Sequence, residues 1–363
     1  MDAGKYYALL RFEEASTALR AAFRINLVGE MGTQKIDLAQ FRNLFGFTEQ
    51  GARTFAAILE VMEVLQRSSD GYSVSPRAAA TLSADLPTSR RPYLEMGIGD
   101  EADALIDMLR GNFPDSSIPL YGRDAGAAST LMDEPNVARE IAYGLASRAR
   151  NFAEPLAKVI SPYANKARIL ADIGAGSPWV ALASAKAMPR LQKIVLVDRS
   201  NAMQFAREMA KDLDTANSEF RDQDFFEEVP PADIYIVSNT AHDWLKGEYA
   251  KIMTNVRDTM APDGTVCVHE PLLMSTWNSA AEWVHALWMA SYALTLYKLT
   301  AGKGTCYTKE EHHEVMETCG FLPVGQSVET SDGCTAIFYK LVADAAALTQ
   351  GQATQMQSQP ATR

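Results

Sequence analysis

Ile169-Leu170-Ala171-Asp172-Ile173-Gly174-Ala175-Gly176-Ser177-Pro178 is a short apolar run that breaks at a glycine turn and leads into a helix-forming stretch, 180–188. Gly174 and Gly176 let the backbone turn sharply and approach a ligand where a Cβ would intrude. Four more apolar runs follow at 194–197, 234–237, 265–268 and 336–339, each separated from the next by helix-length segments. That alternation predicts βαβ units and a mostly parallel sheet, a Rossmann-like α/β domain over residues 161–343. Asp198 closes the second run, 24 residues beyond Gly174, where a carboxylate can accept both hydroxyls of a ribose. Asp224 precedes Phe225-Phe226, a pairing suited to an adenine amine with a phenyl ring over the base. Asp172, Asp198 and Asp224 together predict an acidic crevice. It favours a ligand carrying a sulfonium and an amino group over a pyrophosphate, which a bare helix N-terminus would serve better.

Outside this domain the texture changes. Leu38, Phe41, Leu44 and Phe45 recur at helical spacing, and a polar break at 48–51 precedes Phe55, Ile58, Leu59, Val61, Met62 and Leu65. Ser69-Asp70-Gly71 signals a turn, and Tyr72-Ser73-Val74-Ser75 alternates like a strand. Helix, helix and hairpin is a winged-helix pattern over 1–105. Residues 1–100 hold 11 Lys+Arg against 12 Asp+Glu, a net of −1, which is poor material for phosphate contacts. A packing or dimerisation role is therefore expected of this zone, and no nucleic-acid partner. Residues 106–160 read as a helical linker bordering the substrate pocket. The stretch 344–363 is Gln-, Ala- and Thr-rich without apolar period and is expected to be disordered.

Composition bounds the rest. The 363 residues carry 34 Lys+Arg and 45 Asp+Glu, a net charge of −11 that draws the chain to neither nucleic acid nor anionic lipid. Four cysteines without C-x-x-C spacing suggest neither a disulfide framework nor a thiolate zinc site. The first 20 residues lack the apolar core of a signal peptide. The greasiest stretch, 283–297, falls short of the roughly 20 residues that span a bilayer. A soluble, cytoplasmic protein without membrane contact is expected.

Taken in order, ADIGAGS (171–177), LVDRSNAMQFAREMA (196–210), RDQDFFEEVPPADIYIVSNTAHDW (221–244) and APDGTVCVHEPLL (261–273) resemble the class I S-adenosylmethionine-dependent methyltransferases. More narrowly, they are similar to the plant-type caffeate/flavonoid and bacterial antibiotic O-methyltransferases. The resemblance runs over about residues 15–342. It implies S-adenosyl-L-methionine as cofactor, held by Asp172, Gly174, Gly176, Asp198, Asp224 and Phe225. It also implies a small-molecule methyl acceptor and a homodimer formed through the N-terminal domain. Ala175 and Pro178 stand where the family has glycines.

Of the five histidines, His242 has the best context, past the C-terminal end of a strand in Ala241-His242-Asp243-Trp244. An imidazole is matched to removing a phenolic or similar proton near neutrality. The family's general base lies in this H-D-W motif, so the resemblance assigns that role to His242. Glu270 matches the acid that orients the base. The second flanking acid should fall near 304–308, where Cys306 is the nearest match. His269 should point to the face opposite Glu270, His285 should sit in the core or line a pocket, and His312-His313 should be solvated. Trp288 is assigned to the acceptor pocket, although it and the aromatics Phe152, Trp283 and Tyr292 are equally good core residues.

Tyr121-Gly122-Arg123-Asp124-Ala125-Gly126-Ala127 is similar to a segment of a small branch, the 2-oxo-acid C-methyltransferases, in which the arginine holds a substrate carboxylate. That branch also uses a metal on the His-Asp pair, here His242 and Asp243, but Ser291 falls where its third ligand should be, with His285 as an out-of-register substitute. No metal is expected. The leading function expected is methyl transfer to a hydroxyl of a small, aromatic metabolite. C-methylation of a 2-oxo acid and a cofactor-binding homologue without turnover are the alternatives.

Overall fold

A computed structural model describes residues 3–83, 101–114, 119–120, 130–330 and 332–342. The chain divides into two compact units, Met1–Thr130 with Leu272–Thr308, and Leu131–Pro271 with Lys309–Arg363. The 344–363 stretch and the Tyr121–Ala127 segment, Arg123 included, lie outside the described residues.

In the first unit, Asp37 accepts from the Gln40 N–H while the Gln40 side chain accepts from the Asp37 N–H, a reciprocal cap that starts the helix Leu38–Phe45. Thr48 caps the helix Glu49–Val61 through the Gly51 N–H. The hairpin of β1 (Leu65–Ser68) and β2 (Gly71–Val74) follows, so helix, helix and wing appear in the expected order. Leu65 departs from its expected helical place. The helix ends at Val61, and Leu65 opens β1 instead, pairing Val74.

The 283–297 stretch lies in the helix Ala280–Leu299. Its Ala286, Leu287, Ala290, Leu294 and Tyr297 join Phe41, Phe55 and Ile58 in one core. The helix is apolar round most of its circumference, and from Ala286 to Tyr297 nearly all of it is buried. This corrects the contiguous 161–343 domain, because Leu272–Thr308 clusters with the N-terminal unit. The 106–160 linker is likewise divided. Leu105, Ile106 and Leu109 of the helix Glu101–Leu109 belong to the first core, whereas Phe152, Leu156 and Ile160 of the helix Pro135–Ile160 belong to the second.

The second unit is a doubly wound α/β sheet. Its strands are β3 (Ile169–Ile173), β4 (Lys193–Asp198), β5 (Ser218–Asp222), β6 (Ala232–Ser238), β7 (Met260–Glu270), β10 (Phe321–Pro323), β11 (Val328–Glu329) and β12 (Thr335–Leu341). A separate pair, β8 (Leu272–Leu273) with β9 (Tyr307–Thr308), lies in the first unit. The order along the large sheet is β10-β12-β7-β6-β3-β4-β5, with β3 to β7 parallel and β12 antiparallel to β7. Strands β3 and β6 are buried along most of their length, as central strands covered on both faces must be, and are mostly apolar. From β3 the chain winds outward to β4 and β5, then returns to β6 and β7. The β3/β6 seam is thus the switch point where open sheets of this kind bind ligands.

Strand β5 went unseen in the sequence because Ser-Glu-Phe-Arg-Asp carries one apolar residue. It is the edge strand, and Glu219 pairs there with Arg221 and Lys193.

Gly174 sits at φ +71°, and a Cβ there would collide with the Thr240 side chain from the β6 end. Gly174→Ala should therefore destabilise the protein by ~2 kcal/mol or more, combining left-handed strain with a clash in a packed seam. Thermal denaturation checks this; an unchanged Tm would contradict the packing described here.

Candidate active site

At the C-terminal end of β3 the Gly174 and Ala175 N–H groups both donate to Val197 O, at 2.9 and 3.2 Å, which folds the loop back over β4. Asp198 closes it. Its Oδ2 accepts from the Gly176 N–H at 2.9 Å and its Oδ1 from the Arg199 N–H at 2.8 Å. Burial still drives the Asp198 carboxyl above its ordinary range, against both hydrogen bonds. Asp172, one strand over, is buried, and its Oδ2 has no hydrogen-bond partner among the described residues. Burial, with the neighbouring Asp198 charge adding to it, pushes the Asp172 carboxyl up to about 8. Two carboxyls held this way are short of positive charge, and a cationic ligand would supply it.

Asp224 is exposed, and its Oδ1 accepts from the Phe226 N–H at 2.9 Å. Phe225 is buried, its ring centroid 5.2 Å from Phe226 and 6.2 Å from Trp244. The ring expected to cover a base is thus packed into the wall of the site.

His242 lies in a short 3₁₀ turn, Ala241–Asp243, just past β6, and Glu270 is the last residue of β7. The His242 Nδ1–H donates to Glu270 Oε2 at 2.5 Å, and the other carboxylate oxygen accepts the Thr240 and Ala241 N–H groups at 2.8 Å each. Both side chains are buried. A carboxylate on Nδ1–H selects the tautomer whose Nε2 is basic. Burial opposes charging the ring, but Glu270 and Asp243 outweigh it and hold His242 above the ordinary imidazole value. Glu270 itself, in spite of burial, is held below the carboxylate range by His242 and the N–H donors. Asp243, whose Oδ1 is 3.7 Å from His242 Nε2, is pushed up to about 7 by burial.

Thr240 was not singled out in the sequence. Its N–H serves Glu270, and its hydroxyl is 3.2 Å from Ile173 O, so it ties the end of β3 to Glu270. A lone Thr in a loop carries no signal of such a role. His312 corrects the expectation of a solvated side chain. It is buried, its Nδ1 is 3.2 Å from the Tyr249 hydroxyl, and burial pulls its pKa down to about 4. The signal was present, since His312, Val315, Met316 and Cys319 recur at i, i+3, i+4 and i+7 amid Glu and Lys.

His269 does face away from Glu270, toward Ser238 and Thr330. His285 is half-buried and edge-on to Trp288, which is itself half-buried; both lie in the first unit. Cys306, at the place of the second acid, is buried in the first unit, where Arg53 donates to its carbonyl oxygen at 3.2 Å. No helix among the described residues is long and apolar enough to cross a membrane.

The family model described as the O-methyltransferase domain matches residues 104–322. The chain belongs to the O-methyltransferase family. O-demethylpuromycin-O-methyltransferase of Streptomyces alboniger is 24% identical over 328 residues, 88% of this chain and 84% of that one. Among solved structures, an O-methyltransferase family 2 protein of Planctomyces limnophilus in complex with apigenin superposes with a TM-score of 0.76 at 22% identity, covering 94% of this chain and 96% of that chain. An O-methyltransferase from neocarzinostatin biosynthesis, in complex with S-adenosylmethionine and 2-hydroxy-5-methyl naphthoic acid, gives a TM-score of 0.51 at 17% identity over 90% of this chain and 96% of that chain. Membership in the O-methyltransferase family makes this chain a methyltransferase, and the doubly wound sheet is the fold it shares with these structures.

Proposed function

We propose that this O-methyltransferase moves a methyl group from S-adenosylmethionine to a hydroxyl of a small aromatic metabolite, with His242 as the base. The observation that carries this reading is the 2.5 Å His242–Glu270 hydrogen bond beside the acidic glycine loop, at the switch point of the sheet. The cofactor is S-adenosylmethionine. The unpartnered buried oxygen of Asp172 and the acidic end of β4 fit a ligand that brings a sulfonium and an ammonium into the site. Asp172, Gly174, Gly176, Asp198 and Asp224 hold it, and Phe225 backs the wall. When bound, it supplies an electrophilic methyl group.

The chain itself contributes the proton step. His242 Nε2 accepts the proton of the acceptor hydroxyl as the oxygen becomes nucleophilic. Glu270 stabilises the imidazolium that results and keeps the ring from rotating. Aromatic acceptors are favoured by the relatives in complex with apigenin and a naphthoic acid.

Asp198→Ala should weaken S-adenosylmethionine binding by ~1.5–3 kcal/mol, the scale of a hydrogen bond to a charged group. Isothermal titration reads this directly. Absence of binding by the unaltered protein would sink the cofactor assignment. Incubation with labelled cofactor and a panel of phenols tests the transfer, and binding without labelled product would refute it. The functional particle is a homodimer built through the N-terminal unit. Light scattering should report twice the chain mass, and a monomer at micromolar concentration would refute the dimer.

A further inference from the structure

Behind the turn that carries His242 lies a second buried polar cluster that the proton step does not use. His269, fully buried at the end of β7, has its Nδ1 2.8 Å from the Ser238 hydroxyl and its Nε2 2.8 Å from the Thr330 hydroxyl. The Thr330 hydroxyl is in turn 2.6 Å from Asp332 Oδ1. Arg148, on the helix Pro135–Ile160, places its Nη2 3.4 Å from Asp332 Oδ2 and 3.1 Å from Cys334 Sγ. His269, Asp332 and Cys334 bring ligand atoms within 4.8 Å of one another, the composition of a transition-metal site. Here the Arg148 guanidinium already supplies the positive charge to the carboxylate and thiol, and both imidazole nitrogens are engaged. A cation has no vacancy to fill.

The cluster sits against the left-handed residue Asn239, at φ 53°. The Asn239 N–H donates to His269 O at 2.9 Å, and Asn239 Nδ2 is 3.3 Å from Ser238 Oγ. The very next two residues, Thr240 and Ala241, aim their N–H groups at Glu270. A non-glycine residue in the left-handed region persists only where its surroundings over-determine it. His269 and its partners are those surroundings.

We propose that His269 is a positioning residue: by clamping Ser238 it holds the Asn239 turn in the setting that aligns Thr240 and Ala241 with Glu270, and so fixes the Glu270–His242 hydrogen bond. The proposal rests on reading His242 as the base, but its test needs no turnover. The charged and titratable groups that act on His242 are Glu270 from β7, Asp243 from its own turn, Arg148 from the helix Pro135–Ile160 and His312 from the helix Lys309–Thr318. Of these, Glu270 is the one that accepts the N–H groups of Thr240 and Ala241, the two residues after Asn239.

The experiment follows the five histidines of the labelled 363-residue chain by NMR across neutral pH. His269→Asn keeps a nitrogen at the Nδ1 position on Ser238, and His269→Gln keeps one at the Nε2 position on Thr330. The Asn variant should retain the slowly exchanging His242 Nδ1–H and its elevated titration. In the Gln variant that proton should exchange at least roughly tenfold faster, and the His242 pKa should fall toward the ordinary imidazole value. His269→Phe should behave as the Gln variant where it folds. Equal behaviour of the Asn and Gln variants, whether both like the parent or both impaired, would overturn the proposal. Retained turnover in His242→Ala would instead remove the base and leave the NMR contrast standing, so the two readings fail separately.

Discussion

His242→Ala should lower turnover by roughly 10²–10⁴, the usual contribution of a general base, while S-adenosylmethionine affinity stays within a few-fold. The sign of the pH dependence follows from the site. His242 must be neutral to accept a proton, and Glu270 with Asp243 holds its pKa above the ordinary imidazole value, against burial. The rate should therefore rise with pH along a limb displaced upward from that value. Glu270→Gln, which removes the negative charge, should move this limb to lower pH. A pH–rate profile of the three proteins checks both claims. A parent limb at or below the ordinary imidazole value, or full turnover in His242→Ala, would assign the proton to another group.

Glu270→Ala should be the most damaging single change to stability in the second unit. It leaves three donors without their acceptor: His242 Nδ1–H, Thr240 N–H and Ala241 N–H. Breaking one partner out of a buried pair costs ~3–5 kcal/mol. At about 2–4 °C per kcal/mol, Tm should drop by roughly 6–20 °C. Glu270→Gln keeps an oxygen for the two backbone donors and should lose well under half as much. The linkage has two arms. His242 is raised in the fold, so its share of stability is complete below the ordinary imidazole value and is lost as pH rises through the folded pKa. Glu270 is lowered, so its share is present above the ordinary carboxylate value and is lost as pH falls through the folded pKa. Denaturation curves of parent and Glu270→Ala should therefore converge toward acid. A gap that persists unchanged at low pH would show that the pair contributes by packing alone.

Much of the site could be read from residues because its elements announce themselves locally. β3, β4, β6 and the second half of β7 are mostly buried and apolar, and β4, β6 and β7 each end in a polar residue. Asp198, His242 and Glu270 lie at those ends, and in a parallel sheet the C-terminal ends of neighbouring strands converge. The helices Leu38–Phe45 and Glu49–Val61 carry capping residues and apolar spacing that need no knowledge of the partner they pack against.

Where local signals and packing disagreed, packing prevailed. The polar β5 forms because Phe220 and an ion-paired edge suffice for a strand with one neighbour. His312 is buried because its helix turns the His312–Val315–Met316 stripe inward. Phe225 is a wall residue because Phe226 and Trp244 enclose it. The helix Ala280–Leu299 joins the N-terminal core, and no periodicity could have said so, since its apolar residues are spread round the helix and mark no single face.

By itself, then, the amino-acid sequence determined the alternation of strands and helices, the glycine turn, and the identity of the acids and the histidine at the strand ends. Each depends on side chains within a few positions of one another. Only the tertiary structure decided that Leu272–Thr308 leaves the sheet domain, that Thr240 and Ala241 share one oxygen of Glu270, and that His269 stands behind them on Ser238 and Thr330. These are meetings between residues some 30 to 250 positions apart. They form because burying a carboxylate or an imidazole is tolerable only where the remainder of the fold brings it a partner.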